Sequence, residues 1–141
     1  MNSMKEELLE VVFEGLDSDK AVRVARMMIG GEPELPTLDE GVRETALANL
    51  KLKGGMSIKN AHVRVLCYEG PAYDVEVNFT VGDADARSKS ELQSNLHSFS
   101  LELAGECGVQ TCYAGLEPAA DEGTRIFTNE NAGPVFLKGA M

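Results

Sequence analysis

The residues of this chain with the chemistry of metal ligands or nucleophiles fall mainly around one short stretch. Cys107 and Cys112 bracket Gly108, and His97 precedes them on a segment with helical spacing. Structural zinc sites bring together two close pairs of ligands, and here only one such pair exists. His62 and Cys67 would alternate to opposite faces of one strand, so they make a poor second pair. The sequence therefore predicts free thiols and no metal site. Cys107 follows a predicted helix C-terminus, where the dipole opposes a thiolate. Cys112 stays within geometric reach of His97 or His62, and with Tyr113 it gives the candidate lining of a pocket: His97, Cys112 and Tyr113.

The acidic pairs Asp17/Asp19, Asp83/Asp85 and Asp121/Glu122 sit at turns or helix starts, where carboxylates cap backbone donors. None continues into a twelve-position calcium loop with its central glycine and closing glutamate. Gly30-Gly31, Gly54-Gly55 and Gly105–Gly108 each follow a predicted helix, whereas phosphate-cradling loops follow a strand and open a helix. No cofactor is expected, and the balance points away from an enzyme.

Thirteen Lys and Arg against twenty-three Asp and Glu give a formal net charge of −10 over 141 residues. That balance works against gripping nucleic acid or an anionic membrane, and it suits a protein partner with a basic surface. The charged N-terminal stretch lacks the apolar run of a signal peptide, and the three cysteines are an odd number, so a soluble chain in the cytoplasm with reduced thiols is expected.

The elements that would position these residues follow from period and capping. Ser3–Glu6 has capping-box form and the apolar spacing continues to Glu14, predicting a first helix. Asp17 or Ser18 caps a second through Val22, Ala25, Met28 and Ile29 to Gly30. Thr37–Glu40 repeats the capping box and predicts a third, with Val42, Ala46, Leu47 and Leu50 along one stripe. After Ser57 the period changes to two. Residues 61–67 and 73–81 then read as a hairpin, with Val65 facing Val75, Val63 facing Val77 and Arg64 facing Glu76. Ser88–Glu91 opens a later helix near 89–104 with Leu92, Leu96, Phe99 and Leu103 on the buried stripe, stopped at Gly105. Short strands are expected around Val109–Tyr113, Thr124–Thr128 and Val135–Leu137.

The expected fold is α+β: three N-terminal helices, then a ββαββ unit, with an antiparallel sheet of about four strands and one helix on its face. Residues 1–141 form one domain, with a helical part (1–55) and a sheet-and-helix part (56–141).

Two surfaces carry the functional expectation. The outer sheet face around His62, Arg64, Asp74, Glu76 and Asn78 is one. The other is the later helix, where Leu92–Leu101 runs ten residues without a charge in a chain that is 26% charged. There Ser90, Ser94, Ser98 and Leu101 form a small-residue stripe. The leading reading is a non-enzymatic binding or regulatory module acting on a protein partner or on a second copy of itself. A small enzyme or ligand-binding domain with its pocket between the N-terminal helices and the sheet comes second. An acidic inhibitor imitating nucleic acid comes third.

Overall fold

The computed structural model describes residues 7–37, 40–52, 55–68, 72–116, 122–128 and 133. In chain order the elements are β1 (Leu8–Leu16), α1 (Ser18–Ile29), β2 (Val42–Lys51), β3 (Ser57–Tyr68), β4 (Ala72–Thr80), α2 (Lys89–Cys107), β5 (Thr111–Leu116) and β6 (Arg125–Thr128). The six strands form one antiparallel sheet in the order β2-β3-β4-β1-β5-β6. The molecule is therefore mostly sheet. The expected arrangement of three N-terminal helices and a four-stranded ββαββ unit is overturned by this topology.

Two of the three expected N-terminal helices are strands. The first, expected over Met4–Glu14, falls on β1 in its described part. Leu8–Phe13 is apolar at every position but Glu10, a run that satisfies both helical and strand periods. Its β-branched and aromatic core, Val11, Val12 and Phe13, decides for a strand buried on both faces between β4 and β5. Gly15, read as a helix stop, has φ +71° and sits where the β1–β4 register shifts between Phe13 and Leu16. The left-handed conformation that ends helices also forms β-bulges.

The third expected helix is β2. The box at Thr37–Glu40 does form: Thr37 N–H donates to the Glu40 carboxylate (3.0 Å) and Glu40 N–H to the Thr37 hydroxyl (3.2 Å). It closes one turn, with Gly41 N–H on the Thr37 carbonyl, and Gly41 at φ +73° turns the chain into β2. Along β2 the register shifts at 44/46 and again at 48/50. Each irregularity breaks strict alternation, so the apolar spacing imitates a helical stripe.

The hairpin β3–β4 pairs Val65 with Val75, Val63 with Val77 and Arg64 with Glu76, the register expected from the alternation. α1 and α2 carry both kinds of end signal: Asp17 accepts from Lys20 N–H and Ser88 from Glu91 N–H, and Gly30 and Gly108 close the helices in the left-handed region. α2 runs to Cys107, past the stop expected at Gly105.

Both helices lie on one face of the sheet. Their buried residues, among them Ala21, Val24, Met28, Leu92, Leu96 and Leu103, join Leu9, Phe13, Val63, Val77, Phe79, Cys112 and Phe127 in one hydrophobic cluster. Strands within residues 1–55 thus share a sheet and a core with the rest. The expected strand at Val135–Leu137 and the box at Ser3–Glu6 lie outside the described residues.

Candidate interaction surfaces

The outer sheet face is built by the alternate residues of the strands. Register places Leu47, His62, Asn78, Glu10 and Gly115 in one row across β2, β3, β4, β1 and β5. Arg64, Glu76, Val12, Tyr113 and Thr128 form the next, across β3, β4, β1, β5 and β6. Much of this face is internally bonded. The Arg64 guanidinium reaches Glu76 at 2.6 Å. Tyr113 O–H donates to the Glu14 carboxylate at 2.9 Å, and the Arg125 guanidinium lies 4.1 Å over the Tyr113 ring, a cation–π distance. Burial, then the bonded Glu14 carboxylate, pushes the Tyr113 hydroxyl well above its ordinary range. Asp74 accepts the N–H of Gly15, holding the bulge of β1 (3.0 Å).

The centre of this face is closed as well: Glu10, Val12, Asn78 and Tyr113 are all buried. Asn78 Oδ1 is buried without a hydrogen bond among the described residues. Toward the β2 edge the face opens, with His62 exposed and Val42 and Leu47 among the exposed large hydrophobic residues.

The helical layer offers a different surface. Ser90, Ser94, Ser98 and Leu101 are all exposed, so the expected stripe lies on the solvent side of α2. Beside it, between α2, α1 and the end of β2, runs a groove of about 190 Å³ lined by Met27, Lys51, Phe99, Glu102, Leu103 and Glu106. Met27 is 52% exposed although its sulfur accepts from the buried Cys107 thiol at 3.5 Å. Burial raises the Cys107 thiol, the Arg23 guanidinium offsets part of that rise, and the Glu106 carboxylate adds to it. Arg23 also donates to the Glu106 carbonyl at 3.0 Å, satisfying one of the free carbonyls at the end of α2.

The three expected pocket residues are not brought together. Cys112 joins the core cluster beneath the helices, where burial pushes its thiol up to about 12. Tyr113, its neighbour on β5, alternates to the outer face. His97 on α2 donates from Nε2 to the Thr128 carbonyl at 3.1 Å and stacks on Phe127 with centroids 4.3 Å apart, docking the helix on β6. The pocket was expected between the N-terminal helices and the sheet, and two of those three helices are strands of the sheet itself. Among the described residues no three His, Cys, Asp or Glu side chains converge as a metal set, and no helix is long and apolar enough to cross a membrane.

Reading by residue type passed over Met27, Lys51, Glu102 and Glu106. The available signal was electrostatic: Glu102 and Glu106 are a like-charge i,i+4 pair in the final turns of a helix, where the dipole favours cations.

The fold thus defines a two-layer protein, a six-stranded antiparallel sheet with two helices on one side, whose open surfaces are suited to protein contact. A model of the PABL017 Cdi1I immunity protein family matches residues 40–132, from the turn before β2 to beyond β6. The chain belongs to that family. A chain in the 1.75 Å crystal structure of the toxic C-terminal tip of CdiA from Pseudomonas aeruginosa in complex with immune protein is similar in fold. It has a TM-score of 0.67 and 22% sequence identity, covering 92% of this chain and 99% of that one. No curated protein matches the chain.

Proposed function

We propose that this chain is an immunity protein that neutralises a protein toxin by binding it. The observation that carries the reading is the family match over residues 40–132. The fold likeness to a chain from a toxin and immune-protein complex agrees with it. A net charge of −10 favours a toxin with a basic contact surface and speeds the encounter by steering. The setting is the cytoplasm, in keeping with Cys67, Cys107 and Cys112 as buried free thiols.

Of the two surfaces, the exposed side of α2 is favoured as the contact. The centre of the sheet face is bonded within itself, and a partner there would have to replace bonds already made. The α2 side presents uncharged small residues, which cost less to desolvate than charged ones. The carboxylates lie on β1, α1, β4 and α2 and on both sides of the sheet, a spread that gives nucleic-acid mimicry no support.

The test is growth of cells producing each of a panel of CdiA C-terminal toxic tips, the Pseudomonas aeruginosa tip among them, with and without this chain. Rescue from one tip is expected, with a 1:1 complex by light scattering. Failure to rescue from any, with the chain folded and abundant, would reject the reading.

A further inference from the structure

We propose that the open edge of the sheet at β2 and β3 is a second contact for the toxin, taking an acidic region of it that also presents an apolar side chain; the inference rests on the toxin-binding reading. From Thr45 to Tyr68 the chain runs 24 residues without an Asp or Glu, although 23 of its 141 residues are acidic, so the gap is several times the average spacing. Val42–Tyr68 holds five cations, Arg43, Lys51, Lys53, Lys59 and Arg64, against Glu44 alone. Its formal charge is therefore +4, and the rest of the chain carries −14 of the total −10. Charge is segregated along the sequence, and the basic stretch coincides with the two strands at one edge of the sheet.

Register supplies an apolar anchor at the same edge. His62 and Leu66 alternate with Val63 and Val65 and so share the outer face with Arg64, and they pair with Leu47 and Val42 of β2. The shift between Glu44 and Ala46 is what brings Val42 and Leu47, five residues apart, onto that one face. Leu47 is 61% exposed, the most of the large hydrophobic residues described, and Val42 is exposed beside it. Lys51 and Lys59, at the end of the edge nearest the β2–β3 turn, are exposed too, and among the described residues neither forms an ion pair. Lysines alone would keep an edge from pairing with other strands. An exposed leucine works against such a guard, whereas an apolar centre with a charged rim is the make-up of a protein contact. Lys51 also lines the groove with Phe99 and Leu103 of α2, so the edge is continuous with the helical side assigned to the toxin. A basic strip beside an otherwise acidic surface admits the toxin in one orientation, since like charges meet in the reverse one.

The experiment uses the full chain and the CdiA toxic tip that it captures in the rescue panel. Affinity and melting temperature are measured for wild type, Leu47→Glu, Lys51→Gln/Lys59→Gln, and Lys20→Gln/Arg26→Gln, which removes the same charge from α1. Removing cations from a chain of −10 strengthens its long-range attraction for a basic toxin, so steering and local contact predict opposite signs. Binding about tenfold weaker for Leu47→Glu and about fivefold weaker for the β2–β3 lysine pair is expected, with the α1 pair unchanged or tighter and melting temperatures near that of wild type. Unchanged or tighter binding in either edge variant would overturn the proposal, as would equal losses in the two cation pairs. Light scattering of the chain alone tests the other occupant: a wild-type dimer that Leu47→Glu disperses would give the edge to a second copy and overturn the assignment to the toxin. A wild type that captures no tip removes the toxin-binding reading itself and the edge contact with it, whereas capture with unaltered affinity in the edge variants removes the edge contact alone.

Discussion

On the outer sheet face Arg64 meets Glu76, Tyr113 meets Glu14 and Arg125 covers the Tyr113 ring. On the helical side Glu102 and Glu106 stand one turn apart beside a half-exposed methionine, at the end of a helix whose dipole disfavours them. The first region uses its polar groups to hold six strands in register. The second leaves its small polar residues, Ser90, Ser94 and Ser98, exposed along α2. Residue types on the two surfaces are alike, so composition cannot separate structure from function here; where each side chain lies, buried within the sheet face or exposed on the helix, can. Changes on the sheet face should therefore lower stability and leave toxin binding by the folded protein intact. Changes on the exposed side of α2 should do the reverse.

The largest stability effect is expected at Gly115. A Cβ there would lie 2.6 Å from the Thr124 carbonyl oxygen and 2.8 Å from the Arg125 Cα, and because both are backbone, the turn into β6 must move. Gly115→Ala should destabilise the protein by about 1–3 kcal/mol, the usual range for overpacking. Urea unfolding reads the loss, and toxin affinity measured below the lowered melting temperature should match wild type. A loss of affinity without a loss of stability would place the contact on the sheet and break the contrast.

Next comes Glu76. Its side chain is 13% exposed against 34% for Arg64, so Glu76→Ala leaves a half-buried guanidinium without that carboxylate. A loss of about 2 kcal/mol is expected, between the small worth of exposed pairs and the larger cost of breaking buried ones. Removing both residues together should cost less than the sum of the single changes, and a double-mutant cycle by denaturant unfolding measures that coupling. Additive losses would show that the pair does not act as the internal bond assigned to it.

What the sequence made legible was local. The β3–β4 register could be read because alternation and the Arg64/Glu76 charge pair agreed, and α2 because Ser88, its apolar stripe and a following glycine agreed. β1 was misread because a central strand buried on both faces loses the alternation that identifies strands, leaving an apolar run any period fits. β2 was misread because its register irregularities turned a period of two into something near four, and because the Thr37/Glu40 box is a signal of one turn, whether or not a helix follows. The separation of Cys112 from Tyr113 was implicit in their adjacency on a strand. The groove was not legible, since it needs Met27 from α1 and Lys51 from β2 beside α2, a meeting that only the topology sets.

The smallest effect is the one with the unusual sign. Glu106→Lys places a cation in the last turn of α2 and converts a repelling pair into Glu102 followed four residues later by lysine, the better orientation for such pairs. Arg23 at the Glu106 carbonyl offsets part of the gain, so about 0.5 kcal/mol of stabilisation is expected, roughly 1–2 °C in melting temperature. Because the gain is a surface electrostatic one, it should shrink markedly between 20 mM and 0.5 M salt, where the Debye length contracts to a few ångströms. A rise that persists in high salt would have a packing origin. A fall in melting temperature would mean that Glu106 is already well placed within the fold and that the helix dipole does not govern the end of α2.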